Sequence, residues 1–207
     1  MSKVKAKKHS VFIDMTAMSD VTVLLLTFFM LTSNFIPREP VQVITPGSVS
    51  EIKVPDANLL TILIDPAGKV FLNLDRKEDK IKVLEKVGKD YNITFTPKQI
   101  KSFVDQPHIG VPIGLLQKFL DLPGDEQDKA MKEYGVPTDS TNNQFRRWVS
   151  YAVEIHKELS HEDIAIAIKS DENTPYPKIK AVLNTLQDLR QNRYSLITTL
   201  KGMPVGF

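Results

Sequence analysis

Cysteine is absent from the chain. That one fact excludes a disulfide scaffold, a zinc–thiolate site, an iron–sulfur cluster and a cysteine nucleophile. It leaves the compartment open, because the cytosol and an oxidising space entered without disulfides both fit. An excess of one charge is missing too: 27 basic residues against 25 acidic ones give a formal net charge of +2. Domains whose main task is to coat nucleic acid carry a clear basic surplus, so that class is excluded. No phosphate-binding loop, glycine-rich dinucleotide turn or nucleophile–base pair occurs, so nothing marks an enzyme. What is present is a chain of 207 residues, 42% hydrophobic and 25% charged. That is room for one folded domain and an appendage, and it is too apolar for disorder throughout.

Lysine, arginine, glycine and proline are all missing from Val11–Ile36, VFIDMTAMSDVTVLLLTFFMLTSNFI. As a helix this run would measure ~39 Å, enough to cross a ~30 Å hydrocarbon layer with tilt. Lys3, Lys5, Lys7 and Lys8 precede it, and after Arg38 no basic residue follows until Lys53. The positive-inside rule then puts the N-terminus in the cytoplasm and the rest outside. A cleaved secretory signal has the same basic start, but this run is too long, holds Asp14 and Asp20, and lacks a small-x-small cleavage site. The expectation is a cytoplasmic tail over 1–10, a transmembrane helix over 11–36, an extended linker over 37–57 and an external domain over 58–207.

Asp20 is the most informative residue. A carboxylate near the middle of a membrane helix costs roughly 2.5–3.5 kcal/mol, so such residues face a bundle interior or a wet cavity. Asp14 lies close to the interface and reads as a solvated boundary residue. Thr16 and Thr27 share Asp20's helical face, together with Leu24 and Leu31. Burial there disfavours the ionised carboxylate, which lets it exchange protons. The expectation is a proton-carrying Asp20 flanked by pore-facing Thr16 and Thr27. One helix encloses no path, so a partner must supply the rest. The plainer alternative is that Asp20 only ties the helix to that partner.

The segment Ile13-Asp14-Met15-Thr16-Ala17-Met18-Ser19-Asp20-Val21, followed by LLLTFFMLT, resembles the ExbD/TolR family of biopolymer-transport proteins. That family has Ile-Asn-Val-Thr-Pro-x-x-Asp-Val before a Leu- and Met-rich run. Thr16 and Asp20 keep their places, while Asp14 replaces Asn and Ala17 replaces Pro. Pro40–Pro46, Leu59–Asn73, and Ile164–Asp171 through Tyr176 to Leu183 resemble the family's extended segment, first hairpin and strand–Asp–x4–Tyr–helix unit. The resemblance implies a multi-span inner-membrane partner of the ExbB/TolQ type. It also implies protons as the coupling ion, with no other cofactor, and no enzymatic activity. In the ExbD branch the driven protein is TonB, which powers outer-membrane uptake. In the TolR branch the complex serves the Tol–Pal envelope-integrity system. A self-dimer and contact with the driven protein or the cell wall complete the expected partners.

Beyond the apolar run, Pro37, Pro40, Pro46 and Pro55 argue for an extended tether. Within it Val41, Gln42, Val43 and Ile44 form a strand-like patch able to pair with a partner by strand addition. A plain linker is the alternative. Leu59–Ile64 and Lys69–Leu72 flank Asp-Pro-Ala-Gly, a hairpin pattern. Glu162–Lys169 alternates as a strand, Pro177–Arg190 has helical spacing, and Arg193–Leu200 reads as a strand, giving a right-handed parallel crossover. The fold class expected is α+β: the membrane helix, then a small sheet domain with helices on one face. Residues 74–160 read as a helical insertion, with helices over Lys77–Lys89, from Pro97 to Asp105, around Leu115–Leu120 and around Phe145–Val153. His156 and His161 lack the ligand pattern of a metal site. Arg146-Arg147-Trp148 alone makes no nucleic-acid site.

Overall fold

A computed structural model describes residues 15–33, 41, 43–48, 55, 57–139 and 141–200. The chain divides into two compact units, residues 1–37 and 38–207.

The first unit contains helix α1, Thr16–Thr32, of 17 residues. The transmembrane helix expected over 11–36 is not what forms. No helix among the described residues is long and apolar enough to cross a membrane. At 1.5 Å per residue α1 measures ~26 Å, short of the ~30 Å hydrocarbon layer. Residues 11–14 and 34–36, which supplied the extra length, lie outside the described residues. α1 buries none of its side chains.

The second unit begins with strand β1, Gly47–Ser48. Strands β2 (Leu59–Ile64) and β3 (Val70–Leu74) then form the antiparallel hairpin that the Asp-Pro-Ala-Gly turn implied. Gly68, at φ +80°, occupies the left-handed turn position that needs glycine. Helices α2 (Lys77–Tyr91), α3 (Pro97–Asp105), α4 (Ile113–Asp121), α5 (Gly124–Glu133) and α6 (Gln144–Ser160) follow. A two-residue hairpin of β4 (Thr138–Asp139) and β5 (Asn142–Asn143) lies just before α6. Strand β6 (Ala165–Ser170), helix α7 (Tyr176–Asp188) and strands β7 (Tyr194–Leu196) and β8 (Thr199–Leu200) close the chain. The main sheet runs β3-β2-β6-β7, with β6 parallel to both β2 and β7, and β1 pairs separately with β8.

The local causes are mostly simple. Thr96 and Gln99 form a reciprocal capping box in front of Pro97, which fixes the start of α3. Asn143 accepts from the Arg146 amide and caps α6. α2 carries Glu78 and Asp79 in its first turn and Lys89 in its last, matched to the helix dipole. It ends at Asn92 in the left-handed conformation. Leu122-Pro123-Gly124 ends α4 but also starts α5, because Pro123 suits the position before a helix.

Cover on one face of the sheet only was the expectation, and the hairpin contradicts it. Ile62 and Leu72 are buried on one face, while Leu63 and Phe71, on the other, are buried equally. Gly110 and Met131 of α5 come together on the Phe71 side, and a Cβ at Gly110 would overlap the Phe71 ring. The insertion also seals the sheet edge. Leu72 and Ile109 exchange backbone hydrogen bonds of 2.8 and 2.6 Å, and the Val136 amide donates to Val70 O at 2.8 Å. A strand edge left open would be a template for unwanted pairing.

Buried amides hold the insertion together. Gln127 donates to Leu122 O at 2.7 Å and to Ser102 Oγ at 3.0 Å, and Gln144 accepts from the Ile113 amide at 2.9 Å. Phe103 stacks on Trp148 at 6.0 Å between ring centroids. Asp90 of α2 takes both Arg147 and Tyr151 of α6. Burial pushes the Lys80 ammonium below its ordinary range, and it donates to Gln106 O at 2.8 Å.

The deepest polar contact joins α2 to α6. Asp79 Oδ2 and His156 Nδ1 lie 2.6 Å apart with both side chains buried. Removing one partner of such a pair strands a buried polar or charged group, at a cost of about 3–5 kcal/mol. His156→Ala should therefore lower the melting temperature by roughly 10 °C, at a few degrees per kcal/mol for a domain this size. Asp163→Ala, which breaks only the exposed pair to Lys157, should leave it within a degree or two. Thermal denaturation followed by circular dichroism checks both values.

Candidate functional site

Two places carry the residues singled out in the sequence. The first is α1. Thr16, Asp20, Leu24, Thr27 and Leu31 follow one another at helical spacing along one side. All are exposed. A shallow apolar groove lined by Val21, Leu24, Leu25, Thr27, Phe28 and Leu31 overlaps that side. The hydroxyls on the helix are occupied by its own backbone. Thr27 Oγ1 donates to Val23 O at 3.0 Å and Leu24 O at 2.9 Å. Ser19, Thr22 and Thr32 donate likewise to Met15 O, Met18 O and Phe28 O. Back-bonded hydroxyls hide their protons from an apolar neighbour and keep lone pairs for accepting. The structure thus puts Thr16, Asp20 and Thr27 on one side of one helix. It gives Asp20 a surround of apolar side chains: Val21, Val23 and Leu24 are more than half exposed, at 55%, 56% and 60%.

The second place is the segment before the sheet. Val41 and Val43 pack half-buried against the domain core, and Ile44 points outward, 68% exposed. Gln42 lies outside the described residues. The Ile44 amide donates to Asp171 Oδ2 at 2.8 Å, and the Glu172 amide donates to Ile44 O at 2.9 Å. Thr199 Oγ1 donates to Thr45 O at 2.9 Å, and the Thr199 amide to Pro46 O at 3.1 Å. The strand-like patch therefore lies along its own domain, against the end of β6 and against β8.

Asp171 organises this second place, and the sequence reading did not assign it that role. Its signals were its position directly after the alternating apolar strand β6 and its place as the Asp of the strand–Asp–x4–Tyr–helix resemblance. The Asn173 amide donates to Oδ1 at 2.9 Å and the Asn173 side chain at 3.1 Å, opposite the Ile44 contact on Oδ2. These donors, the Asn173 amide first and Ile44 next, hold the carboxyl below its ordinary range. Asp65 ends the neighbouring strand β2, where its Oδ1 accepts the Lys69 amide at 2.7 Å and its carbonyl accepts Thr174 Oγ1 at 3.0 Å.

His156 is committed to Asp79, and His161 ends α6 in the left-handed conformation. Trp148 of the Arg146-Arg147-Trp148 run is in the core, and Arg147 pairs with Asp90. A cleft of about 560 Å³ lies beside the end of α2, with Leu84, Gly88, Ile93, Phe95 and Ile100 below Glu85 and Lys89. A second, of about 890 Å³ and more polar, runs along β6 and β7 past Arg190, Arg193 and Tyr194. Neither brings together a nucleophile and a base.

The described residues thus present an apolar helix with one carboxylate on its flank, and a small α+β sheet domain. Residues 6–104 match the family model for biopolymer transport protein ExbD/TolR. The resemblance read from the helix motif and the first hairpin is thereby shown over residues 6–104. The match ends inside α3, so α4 to α7 and β4 to β8 lie beyond it. No curated protein and no solved structure matches the chain. The family match supports a role in energy-transducing biopolymer transport. ExbD/TolR proteins are non-catalytic and work with membrane partners in energy-transducing complexes.

The depressed Asp171 sets a sign for acid behaviour. Its contribution to stability is complete above the unfolded carboxylate range and is lost as pH falls through the lower, folded value. Asp171→Asn should be less stable than the parent at pH 7, and the gap should narrow below about pH 4. Urea midpoints at both pH values test this; a gap that widens in acid contradicts it.

Proposed function

We propose that this chain is the proton-coupled subunit of an inner-membrane motor of the ExbB–ExbD type, which powers TonB-dependent transport across the outer membrane. The observation that carries the reading is Asp20. It is a single carboxylate on the side of an apolar helix that buries nothing within its own chain, inside the segment matching the ExbD/TolR model. An apolar surface of that kind needs cover, and helices of a multi-span ExbB/TolQ-type partner supply it. Once covered, a carboxylate without a cationic partner is more stable protonated, and it ionises only when the surroundings admit water or charge. That alternation is the proton-carrying step. Thr16 and Thr27 flank it as hydrogen-bonding groups for the carboxyl or a water. A proton moved across 100 mV releases about 2.3 kcal/mol, so several are needed for each mechanical cycle.

In this reading the sheet domain faces the periplasm, where it dimerises and meets the TonB-type transducer or the cell wall. No enzymatic activity and no cofactor other than the proton is involved. The reading requires that α1 be enclosed by partner helices.

The test is Asp20→Asn at the native locus, with protein level and partner co-purification confirmed. Uptake of an iron chelate through an outer-membrane receptor should fall at least tenfold while the complex still assembles. Normal uptake with a detergent-sensitive envelope moves the protein to the TolR-like branch. Normal uptake and a normal envelope together overturn the proton-carrying role.

A further inference from the structure

Around α1 the polar side chains are not spread evenly. A helix turns about 100° per residue. Seen down the axis from Asp20, Thr16, Ser19 and Thr22 lie about 40°, 100° and 160° round in one sense. In the other sense Leu24, Phe28, Val21 and Leu25, at about 40°, 80°, 100° and 140°, line the apolar groove. Asp20 therefore sits at the boundary between a hydroxyl-bearing side and an apolar one. The hydroxyls also form a continuous series. Thr16 is four residues from Asp20 and three from Ser19, and Ser19 is three from Thr22, the spacings at which helix side chains are neighbours. Ser19 Oγ donates to Met15 O at 2.8 Å and Thr22 Oγ1 to Met18 O at 2.7 Å. With its proton spent on a carbonyl, each of these two oxygens keeps lone pairs that accept from water. Further along the helix the same sense turns apolar at Val23, Leu26 and Met30, so the series runs back from Thr22 to the start of the helix.

We propose that Thr16, Ser19 and Thr22 form a hydroxyl track that holds water against Asp20, while the groove side of the helix stays dry. The inference rests on the reading of Asp20 as the proton carrier among partner helices, and it deepens that reading by naming the side from which the carboxylate is loaded. A carboxylate enclosed by apolar walls on every side has nothing to take a proton from. One wet wall removes that obstacle. Water bound along the hydroxyls reaches the carboxyl, and a hydronium ion there gives its proton to a carboxylate oxygen, leaving water and the neutral acid. α1 holds no basic side chain, so within its own helix Asp20 meets no cation that would displace this water. Ser19 points about 100° away from Asp20 and acts on it through water. Ser19 and Thr22 are therefore positioning residues.

The chain has no cysteine, so a single introduced thiol is read without background. Ser19→Cys, Thr22→Cys, Leu25→Cys and Phe28→Cys are made in the full chain, assembled with its multi-span partner in vesicles, and treated with a charged, water-soluble methanethiosulfonate. The reactive species is the thiolate, which forms where water reaches the sulfur. Ser19→Cys and Thr22→Cys should label at least ~10-fold faster than Leu25→Cys and Phe28→Cys. Equal labelling at all four positions, or faster labelling on the groove side, overturns the proposal. Proton flux through the same vesicles is the second readout. Ser19→Ala should lower it about fivefold, the worth of one net hydrogen bond, with assembly unchanged. Ser19→Thr, which keeps the hydroxyl, should hold flux near the parent value. Flux unchanged by Ser19→Ala but abolished by Asp20→Asn overturns the track and leaves the proton reading standing. Flux unchanged by Asp20→Asn overturns the proton reading, and the track's part in loading falls with it. Should Ser19→Ala fail to assemble, Thr22→Val takes its place, with Thr22→Ser as the rescue and the same outcomes.

Discussion

An apolar surface in contact with water must find cover, and α1 is almost nothing but such a surface. Met18, Leu24, Phe28, Phe29 and Met30 are each more than half exposed, and no residue of the helix is buried. At about 25 cal/mol per Å² of apolar area, covering this helix is a strong drive for association. Everything else about the helix is consistent with life in an apolar setting. The hydroxyls of Ser19, Thr22, Thr27 and Thr32 turn back onto its own carbonyls. Asp20 is the one carboxylate within Thr16–Thr32, and that is why it dominates the functional reading.

The sheet domain solves the opposite problem: it gathers polar groups into its interior and pairs many of them there. The Gln127 and Gln144 amides tie helix ends and loops of the insertion. The Asp79–His156 pair fastens α6 to α2. Because α2 lies within the family match and α6 beyond it, that pair joins the matched part of the chain to the part outside the match. The insertion also covers the β3 edge and one face of the hairpin. It is part of the domain's core and not an attached ornament.

Local signals in the sequence gave the parts that depend on local chemistry. The hairpin could be read from Asp-Pro-Ala-Gly between apolar runs, α3 from Thr96-Pro97, and the crossover from alternating Ile164, Ile166 and Ile168 ahead of Pro177. The helix α5 could not, because GDEQDKAMKE has little apolar periodicity and Pro-Gly reads as a turn. Hydropathy overstated α1, since counting apolar residues from Val11 to Ile36 says nothing about where the helix begins and ends. At the candidate site, Asp20 was legible because a carboxylate in an apolar run is rare. Asp171 was not, because its role depends on Ile44, 127 positions away in sequence. The docking of Val41, Val43 and Ile44 on their own domain was hidden for the same reason.

The central claim is that Asp20 carries protons once partner helices cover α1. Its most direct test is proton flux into vesicles holding the chain with its multi-span partner, followed by an internal pH-sensitive dye under an imposed potential. The account predicts flux with the parent chain and only background leak with Asp20→Asn at equal assembly. Equal flux from both complexes would contradict it.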